Sequence, residues 1–294
     1  MAPPVLWQFR FSHFNEKARW ALDWKGIAHV RRSLLPGFHV PRVLWMTGQK
    51  ALPVLIVDGE TIHDSTRIIE RLERLRPEPA LYPADDAERR RALALEDFFD
   101  EELGPHVRRA LFHELLPETE FAAAAFTLGF GPGTRRLYRA LFPALRVVMR
   151  ADMKIDDART ARSREKVLAA LDRLEAELQP SGYLVGDRFS VADLTAAALL
   201  APVVFLPPEF PYAPPGPLPA PVARWREAFA GRRASHWAAE MVAGSSSSGR
   251  AAWRRSAAHA ATRRSPASAR LATRPRRMRI RATLPRGGPS CHPS

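Results

Sequence analysis

Ser12 stands where a strand-like apolar run, Val5-Leu6-Trp7-Gln8-Phe9, gives way to a helical pattern, which puts its hydroxyl at a helix N-terminus. A hydroxyl there has two uses. It can donate a hydrogen bond to an anion held in the positive potential of the helix end, or it can accept one from the helix's own free amides as an N-cap. Asp64-Ser65 holds the same kind of place, with Ser65 as the cap of a helix whose apolar positions are Ile68, Ile69, Leu72 and Leu75. Such a pair can divide the two ends of an amino acid, Ser65 and its amide taking a carboxylate and Asp64 an ammonium; a plain helix cap uses the same two residues. Leu52-Pro53 opens the apolar run Val54-Leu55-Ile56-Val57, where a proline needs no function, and Lys50 precedes it as a loop cation. Two other clusters carry little. His106 and His113 lack the three- or four-residue spacing of a helical metal pair, and Gly129-Phe130-Gly131-Pro132-Gly133 is followed by neither a Gly-Lys-Ser/Thr step nor a GxGxxG pattern.

The elements that must carry these residues change character along the chain. Residues 5–9 and 29–35 read as strands, with Phe14, Ala18, Ala21 and Leu22 forming one helical face between them. After a helical link, the run ending at Val57 meets Asp58-Gly59, a hairpin dipeptide, before Glu60-Thr61-Ile62 and the helix at Ser65. Residues 1–82 therefore predict a small α/β domain. From residue 84 to 243 the spacing is helical, as in Ala92, Leu95, Phe99 and Leu103, or Val167, Leu171, Leu174 and Leu178. Ser190-Val191-Ala192-Asp193 is a capping-box pattern. Residues 116–157 look irregular, broken by Gly129, Gly131, Pro132, Gly133 and Pro143. Residues 206–221 hold eight prolines and predict an extended connection, with Phe205, Phe210 and Tyr212 either pinning it or walling a pocket. A last helix is expected over residues 222–242, with Trp225 and Trp237 in the core.

Composition narrows the class. A hydrophobic fraction of 46% and a charged fraction of 26% are those of a folded globular chain. No apolar run approaches the ~20 residues of a membrane span, and Arg10 interrupts the N-terminus before any signal-like segment, so a cytoplasmic protein is expected. One cysteine, Cys291, excludes an internal disulfide framework, a CxxC pair and a multi-cysteine metal site, and no metal is expected. The net charge of +14 is concentrated: residues 244–294 carry twelve Arg and no Asp or Glu, and the rest of the chain is nearly balanced. That tail, opening on GSSSSG, predicts disorder. It reads as an arm for nucleic acid or an acidic membrane face, as a solvated extension, or, given basicity all from Arg with no acid at all, as sequence translated out of its natural frame.

Four of these features, in order, resemble the glutathione transferase superfamily: Ser12-His13-Phe14-Asn15-Glu16-Lys17-Ala18-Arg19 at the first strand–helix turn, Leu52-Pro53-Val54-Leu55, Ile62-His63-Asp64-Ser65-Thr66-Arg67-Ile68-Ile69, and Ser190-Val191-Ala192-Asp193. The resemblance spans about residues 4–243. It implies a thioredoxin-like N-terminal domain followed by an all-α domain, with glutathione as co-substrate, a small hydrophobic electrophile, and a two-fold homodimer. It implies that Ser12 is the catalytic hydroxyl beside the glutathione sulfur and that Pro53 is cis, so that Leu52 pairs with the cysteinyl backbone. Asp64 and Ser65 would take the γ-glutamyl end, and Lys50 the glycyl carboxylate. A free thiol titrates near ~8.5, and lowering that by ~2 units takes ~2.7 kcal/mol, which one charge-assisted hydrogen bond and a helix terminus can supply. Two residues depart from the pattern. His13 follows Ser12 where a proline or small residue is frequent, and either tunes the sulfur's field or caps the helix. Asn15, in a chain without cysteine before Cys291, rules out thiol–disulfide exchange through the protein's own sulfur. Conjugation, isomerisation or reduction by glutathione's sulfur remain, as does a catalytically silent module that dimerises or holds a ligand.

Overall fold

The computed structural model of the chain describes residues 2–204 and 216–244. Its first unit is a four-stranded sheet of order β2-β1-β3-β4, from β1 (Val5–Gln8), β2 (Val30–Ser33), β3 (Val54–Val57) and β4 (Glu60–His63). β1 runs parallel to β2 across the crossover helix α1 (His13–Trp24), while β3 pairs antiparallel with both β1 and β4. Helices α2 (Val40–Thr47) and α3 (Ser65–Leu75) complete the unit. Ala18, Trp20 and Leu22 of α1 and Ile68, Ile69 and Leu72 of α3 join Leu6, Leu55 and Val57 in one core; α3 buries one face, as its spacing predicts, whereas α1 is buried on nearly every side.

The register decides where the corners fall. Trp7 near the end of β1 lies opposite Val54 at the start of β3, and Val54 lies opposite His63 at the end of β4. The turn after β1, the entry to β3 and the exit of β4 therefore open at one end of the sheet, bringing Ser12, Pro53 and Asp64 to the same edge.

The second unit is helical: α4 (Asp86–Phe98), a π-helical turn (Phe99–Leu103), α5 (Gly104–Leu115), α6 (Thr119–Phe126), α7 (Pro132–Asp152), α8 (Asp157–Glu177), α9 (Val191–Leu200), α10 (Ala220–Ala230) and α11 (Arg233–Gly244). All ten residues of α9 are buried, enclosed by α1, α4, α5, α11 and the π-helical turn. Its start is held as the sequence predicts: the Asp193 carboxylate accepts from the Ser190 amide (2.9 Å) and hydroxyl (2.8 Å), and from the Leu184 amide (2.8 Å). The two units share one core. Phe189, just before α9, stacks on Trp20 and Trp24 of α1, with ring centroids 5.7 and 4.8 Å apart.

Three expectations need correction. Residues 116–157 are mostly helical rather than irregular. The glycines only form the entry to α7, and Pro143 sits on its exposed face, where the carbonyl freed by the missing N–H can be hydrated. Only Tyr138 and Phe142 of its 21 residues are buried, too few for a periodic signal. The last helix is two helices, parted at Gly231-Arg232; Arg232 turns back to pair with Asp172 (2.5 Å) and Glu175 (3.0 Å) of α8. Ala220 and Pro221, expected as extended, begin α10, since a proline in the first helical turn forfeits no hydrogen bond. Trp225 and Trp237 are buried as expected. Phe205, Phe210, Tyr212 and the Arg-rich residues 245–294 lie outside the described residues. No helix among the described residues is long and apolar enough to cross a membrane.

Candidate active site

The turn that presents Ser12 is braced by a buried arginine. Arg19, 3% exposed, donates to Glu16 (2.7 Å), the Gln8 amide oxygen (2.6 Å), and the carbonyls of Phe9 and Ser12 (3.2 Å each). The basic end of the strand–helix motif thus clamps the end of β1 to the start of α1. Ser12 is the N-cap of α1 in extended backbone, and its Oγ accepts a long 3.4 Å bond from the Asn15 amide. Accepting that bond leaves the O–H to donate elsewhere, so capping and anion binding are compatible at this residue.

Ser12 opens onto a cleft between the units. Phe11 and His13 flank it; Leu111 and Phe112 of α5, Ala201 and Pro202 after α9, and Arg226 of α10 face it. The walls are mostly apolar, and the charge comes from arginine. Arg226 is 4% exposed and its Nε donates to the Pro202 carbonyl at 2.8 Å. Burial lowers its pKa to about 10, so it stays cationic at neutral pH. A larger surface groove between α5, α8 and α10 has Trp225 and Phe229 on its wall, but its Arg164 and Glu114 neutralise one another and none of the candidate residues reaches it.

His13 does not supply charge. Its ring is buried, its Nε2–H donates to the Gly104 carbonyl at 3.0 Å, and burial together with the nearby Arg108 cation depresses its pKa to about 3. It is a neutral pin between α1 and the start of α5, and the positive field beside it is that of Arg108, itself half-buried with its pKa lowered by burial and by Arg109. Asn15 is fully enclosed, with neither amide atom hydrogen-bonded, so it cannot touch a ligand in the cleft.

At the sheet edge the Leu52–Pro53 bond is cis, with Leu52 8% exposed and packed on Val43 and Val54. Asp64, not Ser65, is the N-cap of α3: its Oδ1 accepts from the amides of Thr66 (2.9 Å) and Arg67 (3.3 Å). Ser65 is the first helical residue, 4% exposed, and its N–H has no intrahelical acceptor. Asp64 adopts φ 77°, ψ 132°, a backbone region costly for any residue with a Cβ and common where geometry serves a site. Lys50 is already occupied, paired with Asp152 at the end of α7, both side chains about half exposed.

Behind this edge lies a buried cluster. Lys17 Nζ contacts Thr66 Oγ1 (2.9 Å), Glu96 (2.8 Å) and Asp100 (2.5 Å), joining α1, α3, α4 and the π-helical turn one residue from Ser65. Burial raises the Glu96 pKa against the pull of Lys17. Along the sequence Lys17 and Arg19 are legible only as parts of a motif, and Arg108 and Arg226 go unread. A signal for Arg226 was present: Val222, Trp225, Arg226 and Phe229 fall at i, i+3, i+4 and i+7, so this arginine shares a stripe with residues that are buried.

Comparison with known proteins points to one family. Residues 6–80 match the family model of the glutathione S-transferase N-terminal domain, and residues 157–233 that of the C-terminal domain. The chain is 27% identical over 232 residues to glutathione S-transferase TCHQD of Arabidopsis thaliana, covering 70% of this chain and 79% of that protein. Its fold resembles beta-etherase LigF of Sphingobium sp. strain SYK-6, with a TM-score of 0.53, 20% identity and coverage of 82% of this chain and 100% of the other. It also resembles the theta class glutathione S-transferase of Xanthomonas axonopodis pv. citri, with a TM-score of 0.50, 20% identity and coverage of 80% and 96%.

Proposed function

The chain belongs to the glutathione S-transferase family, and from that premise we propose that Ser12 activates the thiol of bound glutathione for attack on a small hydrophobic electrophile entering from the helical side. The carrying observation is the convergence at one sheet edge of Ser12, the Leu52–Pro53 step and the Asp64–Ser65 start of α3. The residues suit the tripeptide in parts. Ser65 N–H and the N-terminus of α3 take the γ-glutamyl carboxylate, the second oxygen of Asp64 takes its ammonium, and the Leu52 backbone pairs with the cysteinyl amide. Lys50 takes the glycyl carboxylate by exchanging it for Asp152.

The thiol releases its proton to solvent. The Ser12 O–H then donates to the thiolate, which lies at the positive end of α1. Sulfur forms a bond to the electrophilic carbon, and the leaving group departs with its bonding pair. No covalent bond to the protein forms. The apolar walls from Phe11, Leu111 and Phe112 hold the electrophile against the sulfur, where orientation lowers the barrier. A two-fold homodimer in the cytoplasm belongs to the same proposal, and light scattering of the purified chain tests the dimer.

Thiolate absorbance of bound glutathione, followed against pH, tests the reading. The expected midpoint lies about 2 units below the free thiol, moving back by most of that shift in Ser12→Ala while retention on immobilised glutathione persists. A bound thiol with the acidity it has in buffer sinks the mechanism, and retention without turnover of an aryl halide leaves a binding module.

A further inference from the structure

Among the described residues, Arg226 is a buried cation with no anion beside it. Its Nε is used by the Pro202 carbonyl; no carboxylate pairs with it among the described residues, and the downward push on its pKa comes from burial alone. The other buried cations differ: Lys17 meets Glu96 and Asp100, Arg19 meets Glu16, and Lys25 meets Glu73. A desolvated guanidinium without a counter-charge is costly, and its remaining N–H donors form a planar fork suited to a carboxylate. It stands on α10 and lines the same cleft as Ser12, together with apolar Phe11, Leu111 and Phe112. The glutathione carboxylates are accounted for at α3 and Lys50, on the sheet side.

We propose that the electrophile accepted at Ser12 carries a carboxylate, which Arg226 receives while its apolar body lies against Phe11, Leu111 and Phe112. This rests on the glutathione transferase reading and names its substrate class: aryl or alkenyl acids in place of neutral hydrophobic electrophiles. In the probe reaction, 4-chloro-3-nitrobenzoate, the thiolate adds at the chlorine-bearing carbon and chloride leaves with the bonding pair; the carboxylate is untouched.

The experiment compares kcat/KM for that acid and its methyl ester, each divided by its uncatalysed rate with glutathione, in wild type, Arg226→Gln and Arg226→Lys. The expected wild-type ratio favours the acid by at least about 10-fold, falling to near one in Arg226→Gln and retained in part by Arg226→Lys. A wild-type ratio near one overturns the proposal whether or not the variants fold. So does an unchanged ratio in Arg226→Gln, or a rise in KM for glutathione with the ratio unaltered, which would give Arg226 to the tripeptide. Should neither compound turn over, calorimetry with 4-nitrobenzoate decides: binding lost in Arg226→Gln supports the subsite and no binding to wild type overturns it. The thiolate titration separately judges the catalytic reading.

Discussion

Asp64 meets three demands with one side chain. Its Oδ1 caps α3, its backbone sits in a region that favours glycine, and its second oxygen is the proposed ammonium contact. These separate by substitution. Asp64→Ala loses the cap and keeps the strain, so denaturant unfolding should show a loss of about 1–3 kcal/mol. Asp64→Gly loses the cap but relieves the strain, and should fall closer to wild type, while both variants weaken glutathione retention alike. His13 makes a prediction in pH. Its folded pKa of about 3 lies below the unfolded value near 6.5, so the unfolded chain binds the extra proton between those limits. Stability is unaffected above 6.5 and declines as pH falls below it, by about 2 kcal/mol on going from pH 8 to pH 5. His13→Gln should flatten that part of the stability-versus-pH curve measured with urea.

Among elements, α1 joins the sheet to the helical unit. Arg19 ties its first turn to β1, and Lys17 ties its middle to α3, α4 and the π-helical turn, its own charge and that of Glu96 shut away from water while Asp100 is partly exposed. Removing one partner of such a set strands the others: Lys17→Met should cost about 3–5 kcal/mol in urea unfolding. Replacing Glu96 by Leu in the same background should recover part of that loss, because one stranded charge is removed with it. Since Thr66 takes part, Lys17→Met should also raise KM for glutathione. An equal cost for the single and double variants would show that the cluster does not hold α1 to α4.

For the molecule as a whole, aromatic rings add to the charge cluster in joining the two units. Phe189 stacks between α1 and α9 on Trp20 and Trp24, and a chain of rings from Phe112 through Phe126 and Phe142 to Tyr138 carries the packing out to α7, whose Tyr138 hydroxyl donates to the Pro36 carbonyl at 3.1 Å. Phe189→Ala empties the joint and should cost about 3–5 kcal/mol. Tryptophan fluorescence and far-ultraviolet dichroism should report one urea midpoint in the wild type and two different midpoints once the joint is gone.

What could be read along the chain was what neighbours in sequence decide. Strand–helix alternation, the Asp58-Gly59 hairpin, the Ser190–Asp193 cap and the place of Ser12 at a helix start all depend on a few consecutive residues, and each stands as read. Ser65 was off by one position, because Asp and Ser compete for the same cap and only the backbone at Asp64 settles which wins. Burial of Arg226, the neutral state of His13 under Arg108, the engagement of Lys50 by Asp152 and the helix through Pro143 were decided by tertiary structure. A side chain's charge and hydration depend on what the fold brings against it from residues tens of positions away, and spacing along one segment carries no record of that meeting.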